Sequence, residues 1–207
     1  MKFSYDFKLS EHSGSSRVYV CGDITARIDF LSGSMMRVAL FRDDCKMLPT
    51  FTVDPQNEFL TEGRDKLSLD GFSLFAPQVA DGERFSLENV EAELNTHNFV
   101  LSYKKDGKLL FADRAPLAYN FQNEFGNGTY HYLTREKGEK IYGLGDKGGS
   151  VNKAGRTFRV ETVWVMMRKR RTRFISTCRF ICVKIPSVAT VSITIRPTVP
   201  LWISEEK

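Results

Sequence analysis

The chain contains no run of about 18 apolar residues, so no segment of it reads as a membrane-spanning helix. Its first residues, Met1-Lys2-Phe3-Ser4-Tyr5-Asp6-Phe7, hold no long apolar stretch ahead of the first acid. That argues against a secretory signal. Cysteine is sparse: Cys21, Cys45, Cys178 and Cys182 are the 4 present in 207 residues. A disulfide scaffold is not expected, and a cytoplasmic setting is the simplest reading. Histidine is sparser still, and His12, His97 and His131 are scattered with no Cys or acid at ligand spacing. Neither a metal site nor any cofactor is expected. Gly143 and Gly145 lack the third glycine and the following helix of a dinucleotide-binding turn. Sustained helical periodicity is missing as well.

What is present suits strands. Hydrophobic residues make up 42% of the chain and Phe alone accounts for 16 positions, enough for a core. Arg17–Cys21 reads as one strand, and Ile24 to Phe30 alternates apolar and polar with period two. Ser32-Gly33-Ser34 turns the chain and Met36–Phe41 returns it. Phe99–Tyr103 and Leu109–Phe111 flank Asp106-Gly107, the clearest hairpin signal in the chain. Glu88–Leu94 alternates apolar residues with acids and reads as a strand. Asn127-Gly128 marks another turn, before a strand over Thr129–Leu133. Short strands at regular spacing with polar turns predict an all-β sandwich.

The net charge of +5 is unevenly spread. Nine of the 30 basic residues, but only Glu205 and Glu206 of the 25 acidic ones, fall in residues 162–207. The rest of the chain is therefore slightly acidic and makes no electrostatic case for nucleic acid. Neither a nucleic acid nor a membrane is expected as a partner of that body.

Glu139 to Gly149 reads E-K-I-Y-G-L-G-D-K-G-G. Two glycines after a short strand-like run mark a tight turn or a close backbone approach. This stretch resembles the (F/Y)-G-L-G-E-(K/R) signature near the end of the N-terminal domain in glycoside hydrolase family 31, the α-glucosidase family. Asp146 stands where the signature has Glu. The resemblance covers most of residues 20–160. It includes Arg37-Val38 after a polar turn, Asp113-Arg114-Ala115-Pro116-Leu117, and Gly155-Arg156. It implies a galactose-mutarotase-like β-sandwich over residues 1–161, the module that precedes a catalytic (β/α)8 barrel. The indirect substrate contacts it implies fall on Tyr142, Gly143, Leu144, Gly145, Asp146 and Lys147. A loop that helps shape the sugar site would start near Thr157–Glu161. The resemblance also implies a parent enzyme that hydrolyses α-glycosidic bonds of an oligosaccharide with retention, in carbohydrate metabolism.

No residue carries over as catalytic. Retaining glycosidases use two carboxyl groups about 5–5.5 Å apart. In this family both lie on the barrel, which takes about 200–250 residues, and the nucleophile motif of W-x-D-M-N-E type is absent. The expectation is a truncated, non-catalytic fragment, inactive without its barrel. The alternative is a free-standing carbohydrate-binding sandwich, for which Tyr130 and Tyr132 on one strand face could stack on sugar. Asp146 has two readings: a carboxylate near the sugar, or a turn residue accepting backbone N–H bonds or pairing with Lys147 or Arg156. The structural reading is the commoner one.

Beyond about Glu161 the text changes. Asp disappears, and Arg168-Lys169-Arg170-Arg171-Thr172-Arg173 forms a basic cluster. The family's expected loop, of the type G-Y-D…D-P-L-Y-K-H-(I/L)-P-F, is not there. Reading the third base of each codon with the first two of the next restores it. Trp164–Val165 must then encode Gly and Met166–Met167 must encode Asp. Permitted codons turn Val163 to Ile181 into L-G-Y-D-A-E-K-T-D-P-L-Y-K-H-L-P-F-Y. Residues 162–207 are accordingly expected to be an aberrant, frame-shifted basic tail, irregular or poorly ordered. A natural divergent tail and a basic interaction or nuclear-targeting segment remain the other readings.

Overall fold

The computed structural model describes residues 4–32, 35–43, 49, 64–65, 67–81, 83–121, 130–135, 137–143, 149–155, 180–185 and 188–193. The chain divides into two compact units, Met1–Tyr119 and Asn120–Lys207. Every regular element among the described residues is a strand. None of the described residues forms a helix long and apolar enough to cross a membrane.

The first unit holds two antiparallel meanders. One is β1 (Lys8–His12), β2 (Ser16–Cys21), β3 (Ile24–Ser32) and β4 (Met35–Arg42), neighbours in that order. The other is β5 (Gln78–Ala80), β6 (Arg84–Ser86), β7 (Glu91–Asn95), β8 (Val100–Lys105) and β9 (Lys108–Ala112). Consecutive strands pair because their connections are short, the cheapest way to close an antiparallel ladder.

Period two sets the faces. On β3, Ile24, Ala26, Ile28 and Phe30 all point into the core and are fully or nearly fully buried. On β7, Ala92 and Leu94 are buried while Glu91 and Glu93 alternate with them. The two sheets meet through aromatic rings. Phe30 of β3 lies 5.2 Å from Phe85 of β6, and Tyr19 of β2 lies 5.8 Å from Phe99, just ahead of β8. Facing sheets joined by interleaved side chains make a β-sandwich, as expected. Burying each such aromatic contributes roughly 1.5–3 kcal/mol.

The hairpin between β8 and β9 turns on Asp106 and Gly107, with φ of 51° and 73°. Two successive positive φ values match the right-handed twist of the strands, and glycine adopts one at no steric cost. The strand expected over Glu88–Leu94 starts later, at Glu91. Leu87 donates its N–H to the carbonyl of Val90 at 2.9 Å, so Glu88 and Asn89 are used up in a tight turn. A polar pair can cap a turn as readily as it alternates in a strand.

The segment ahead of β1 ties the two sheets together. Tyr5 donates its N–H to the Asn98 side-chain oxygen at 2.7 Å, and Asn98 returns its own N–H to the Tyr5 carbonyl at 2.7 Å. Phe7 donates to the Thr96 carbonyl at 3.1 Å. Asn98 and Phe99 both have positive φ, 62° and 50°. That is a strained conformation for Phe, held by the Asn98 bonds and by a Phe99 ring in contact with Phe7, Tyr19 and Tyr119.

Where the first unit gives way to the second, β10 (Tyr119–Asn120) pairs with β11 (Tyr130–His131). Of the strand expected over Thr129–Leu133, Tyr130 and His131 form the regular pair and Leu133 a single bridge, while Asn127, Gly128 and Thr129 lie outside the described residues. A three-stranded antiparallel sheet follows, in the order β12 (Lys140–Gly143), β13 (Phe180–Ile185) and β14 (Val188–Ile193). Lys140 faces Lys184 and Gly143 faces Ile181 across the first pair.

Candidate functional site

The signature begins on β12. Ile141 is buried, and Tyr142, the next residue, is half-buried on the opposite face. Gly143 ends the strand opposite Ile181. Leu144, Gly145, Asp146 and Lys147 lie outside the described residues.

Gly149 has a φ of 98°, which suits glycine and few other residues. The chain then locks back onto the strand it left. Ile141 donates its N–H to the Asn152 side-chain oxygen at 3.0 Å, and Lys153 donates its N–H to the Ile141 carbonyl at 2.7 Å. The same Asn152 oxygen takes the N–H of Ala154 at 3.1 Å. One amide side chain therefore stands in for a paired strand, and the signature turn is closed at its base between Ile141 and Lys153. Because both main-chain groups of Ile141 face this side, β12 turns those of Lys140 and Tyr142 toward β13. Asn152 belongs to none of the sequence motifs. An isolated Asn after Gly-Gly-Ser-Val gives no signal that its oxygen will cap a strand 11 residues back along the chain.

The Arg37 motif has a distinct setting in the first unit. Asp29 and Arg37 face each other across β3 and β4. Asp29 is fully buried although it lies on the face of β3 opposite the aromatic core. Its Oδ1 accepts the Ser16 hydroxyl and the Arg27 Nε, each at 2.7 Å. Its Oδ2 accepts Arg37 Nε at 2.9 Å and Nη2 at 2.7 Å. Arg37 reaches further, to the carbonyls of Leu67 at 3.0 Å and Ser68 at 3.2 Å. That links residues 67–68 to the outer face of the sheet and hides the carboxylate beneath two guanidinium groups. Charge-assisted bonds on both oxygens compensate the cost of burying it.

The Asp113 motif is also internal. Asp113 is buried, accepts the Leu101 N–H on Oδ2 at 2.9 Å, and donates its own N–H to the Leu101 carbonyl at 2.8 Å. The following Ala115–Pro116 peptide is cis. Burial pushes the hydroxyls of Tyr103 and Tyr119 up from the usual tyrosine range, and the negative charge of Asp113 pushes the same way. Both buried carboxylates thus fasten backbone and strands, and neither is open to a substrate.

His97 pairs with Asp6 at an exposed site, and His12 is exposed at the end of β1. Among the described residues no group of three or more His, Cys, Asp or Glu side chains is placed to hold a metal ion. Tyr130 and Tyr132 are both half-buried.

Residues 25–167 match the model of the glycosyl hydrolase 31 N-terminal galactose mutarotase-like domain. The chain belongs to this family. The match takes in the Asp29–Arg37 pair, the Asp113 lock and the closed signature turn. Solved structures agree on the fold. A family 31 dextranase of Flavobacterium johnsoniae, as a mutant complexed with isomaltotriose, superposes with a TM-score of 0.58 at 18% identity, over 86% of this chain and 21% of its own. The same dextranase complexed with glucose gives 0.56 at 19% identity, again over 86% and 21%. An uncharacterized protein of Listeria monocytogenes gives 0.54 at 13% identity, over 87% of this chain and 16% of its own. This glycosyl hydrolase 31 N-terminal domain thus spans about a fifth of the dextranase chain. A search of curated proteins by sequence finds no match.

Proposed function

We propose that this chain is the non-catalytic N-terminal module of an α-glucosidase-type enzyme, and that it does no chemistry by itself. The observation that carries the reading is the family match over residues 25–167 together with the small share of the dextranase chain that it represents. The internal use of Asp29 and Asp113 supports it, since hydrolysis with retention needs two carboxyl groups facing a sugar. The missing partner is a (β/α)8 barrel, and the intact enzyme acts on an α-linked oligosaccharide in the cytoplasm. Within the module, the signature turn, residues Tyr142 to Lys147, borders the sugar site indirectly, and β12 with its Asn152 clamp supports it. Residues 1–161 make up the native module.

Residues beyond about 160 are, in the same proposal, read out of the native frame. The family match stops at residue 167, near the point where Asp disappears and the basic cluster begins. The forced Gly and Asp in the shifted reading support the same break. Sequencing the coding DNA across codons 155–207 tests it, and a native frame without the shifted reading would refute it.

The activity test is direct. The pure chain is expected to leave maltose and a chromogenic α-glucoside unhydrolysed, and clear turnover would overturn the reading. Calorimetry against glucose, maltose and isomaltose is expected to give no heat. A saturable signal there would favour a free-standing carbohydrate-binding module instead.

A further inference from the structure

An aspartate followed by glycine can close on itself. The glycine nitrogen attacks the aspartate side-chain carbon, and glycine has no Cβ to bar the approach. The chain holds three such pairs, Asp70-Gly71, Asp81-Gly82 and Asp106-Gly107. Gly82 lies outside the described residues, so the comparison is between the first pair and the third. Asp70 is tied down. Its Oδ2 accepts the Ser68 hydroxyl at 2.9 Å, its N–H donates to the same Oγ at 3.2 Å, and its carbonyl accepts Arg64 Nη2 at 2.9 Å.

Asp106 has none of these ties. Among the described residues, no hydrogen bond or ion pair holds its carboxylate, and the Gly107 N–H makes no main-chain hydrogen bond. Chain neighbours apart, no atom lies within 4 Å of where a Gly107 Cβ would stand. Lys105, Asp106, Gly107, Lys108 and Leu109 are all exposed. Lys105 and Lys108, which close the turn, face each other across β8 and β9. Like charges directly opposite weaken a strand pair, and the ladder beside them shifts register between Tyr103 and Lys104. Few contacts and an exposed ladder let this tip open more readily than the sheet behind it.

We propose that Asp106 is a site of spontaneous isoaspartate formation, which ages the β8–β9 hairpin from its tip. When the turn opens, Gly107 N bonds to Asp106 Cγ. The carboxylate takes a proton from solvent, its C–O bond breaks, and the oxygen leaves as water with that proton and the amide proton. The cyclic imide then takes up one water. Cleavage between Gly107 N and the Asp106 main-chain carbonyl leaves the chain running through the side chain, one methylene longer and unchanged in mass. Water is the sole co-reactant. A two-residue turn matches the strand twist only at its own backbone length, so the added methylene parts Lys105 from Lys108. The damage stops lower down, where Asp113 and Leu101 exchange hydrogen bonds. This inference does not depend on the activity proposed above.

The test uses the full chain, stored for weeks in warm near-neutral buffer. Digestion after glutamate, followed by mass spectrometry with electron-transfer fragmentation, measures the isomer at each pair. In the folded chain Asp106 is expected to convert about tenfold faster than Asp70, the ratio that one hydrogen bond to a charged group supplies. In guanidinium chloride, where the ties of Asp70 are gone, the two are expected to convert at similar rates. Ser68→Ala is expected to speed Asp70 and leave Asp106 unchanged. Asp106→Asn keeps the preference of the turn and closes the same ring with loss of ammonia, so its product is marked by a rise in mass. In the converted fraction the Lys105 and Lys108 amides exchange faster with solvent, while those of Leu101 and Asp113 do not. Equal conversion at both sites in the folded chain, faster conversion at Asp70, or no isomer at Asp106 would each overturn the proposal. So would a ratio that is the same folded and unfolded, since the cause would then lie in the sequence alone.

Discussion

Arg37 grips Asp29 with two nitrogens on one oxygen, Nε at 2.9 Å and Nη2 at 2.7 Å, from the directly facing position on the next strand. Asp29 has no exposed side-chain surface, whereas Arg37 keeps 21% of its own. The carboxylate is therefore the buried partner, and its removal strands two cations.

Asp29→Ala is expected to destabilise the first unit by about 3 kcal/mol or more, because it leaves Arg27 and Arg37 without their shared anion. Urea unfolding followed by far-ultraviolet circular dichroism measures this. A loss under about 1 kcal/mol would mean that the guanidinium groups find water instead.

Asn152→Ala removes the acceptor for two main-chain N–H groups. The expected cost is about 1–3 kcal/mol, since a buried donor is left unmade. It should also be local: the Ile141 and Ala154 amides exchange faster while those of β2 and β3 do not change.

Tyr19 is buried to 2% exposure, and its hydroxyl has no hydrogen-bond partner. Tyr19→Phe keeps the ring against Phe99 and discards the unsatisfied group. Thermal or urea unfolding is expected to show no loss, and a gain of about 1 kcal/mol is in range. Tyr19→Ala, by contrast, is expected to cost about 3–5 kcal/mol, through the cavity it opens.

Alkaline pH should unfold the protein through its buried tyrosines. Burial raises the pKa of Tyr19, Tyr103 and Tyr119 above the ordinary 10.0. The folded state holds these protons more tightly than the unfolded chain. Their stabilisation is therefore complete below about pH 10 and is lost as pH rises through the higher folded values. Spectrophotometric titration near 295 nm is expected to show these rings ionising only as the fold is lost.

Glu93 works in the opposite direction. The hydrogen bond and charge of Lys104 hold its pKa below the ordinary 4.5. Its contribution is present above that value and is lost as pH falls through the depressed one. With 45% of the side chain exposed, the pair is screened by solvent and contributes under about 1 kcal/mol. Glu93→Gln is expected to be slightly less stable than the native chain at neutral pH, and equally stable well below pH 4.5.

The β2–β3–β4 meander and the β8–β9 hairpin were legible before any coordinates. Alternation in Ile24–Phe30 and the Asp106-Gly107 turn are short-range signals, and short-range signals survive folding. β5, β6 and β10 were not legible, because each is 3 residues or fewer and shows no period. The candidate site divides the same way. Tyr142 and Gly143 could be picked out from their neighbours in sequence, but Asn152 could not. Arg37 could be picked out as part of a motif, but its partner Asp29 looked like one more polar residue on an alternating strand.

The sequence by itself determined the class of fold, the inward face of β3 and the family, because each rests on neighbours along the chain. Only the tertiary structure decided that Asp29 and Asp113 are buried locks and that Asn152 closes the signature turn. It alone showed that Asn98 reaches back to Tyr5, 93 positions away. Those pairings join residues that no local pattern relates, and a carboxylate or an amide is committed only when folding brings a donor within hydrogen-bond reach.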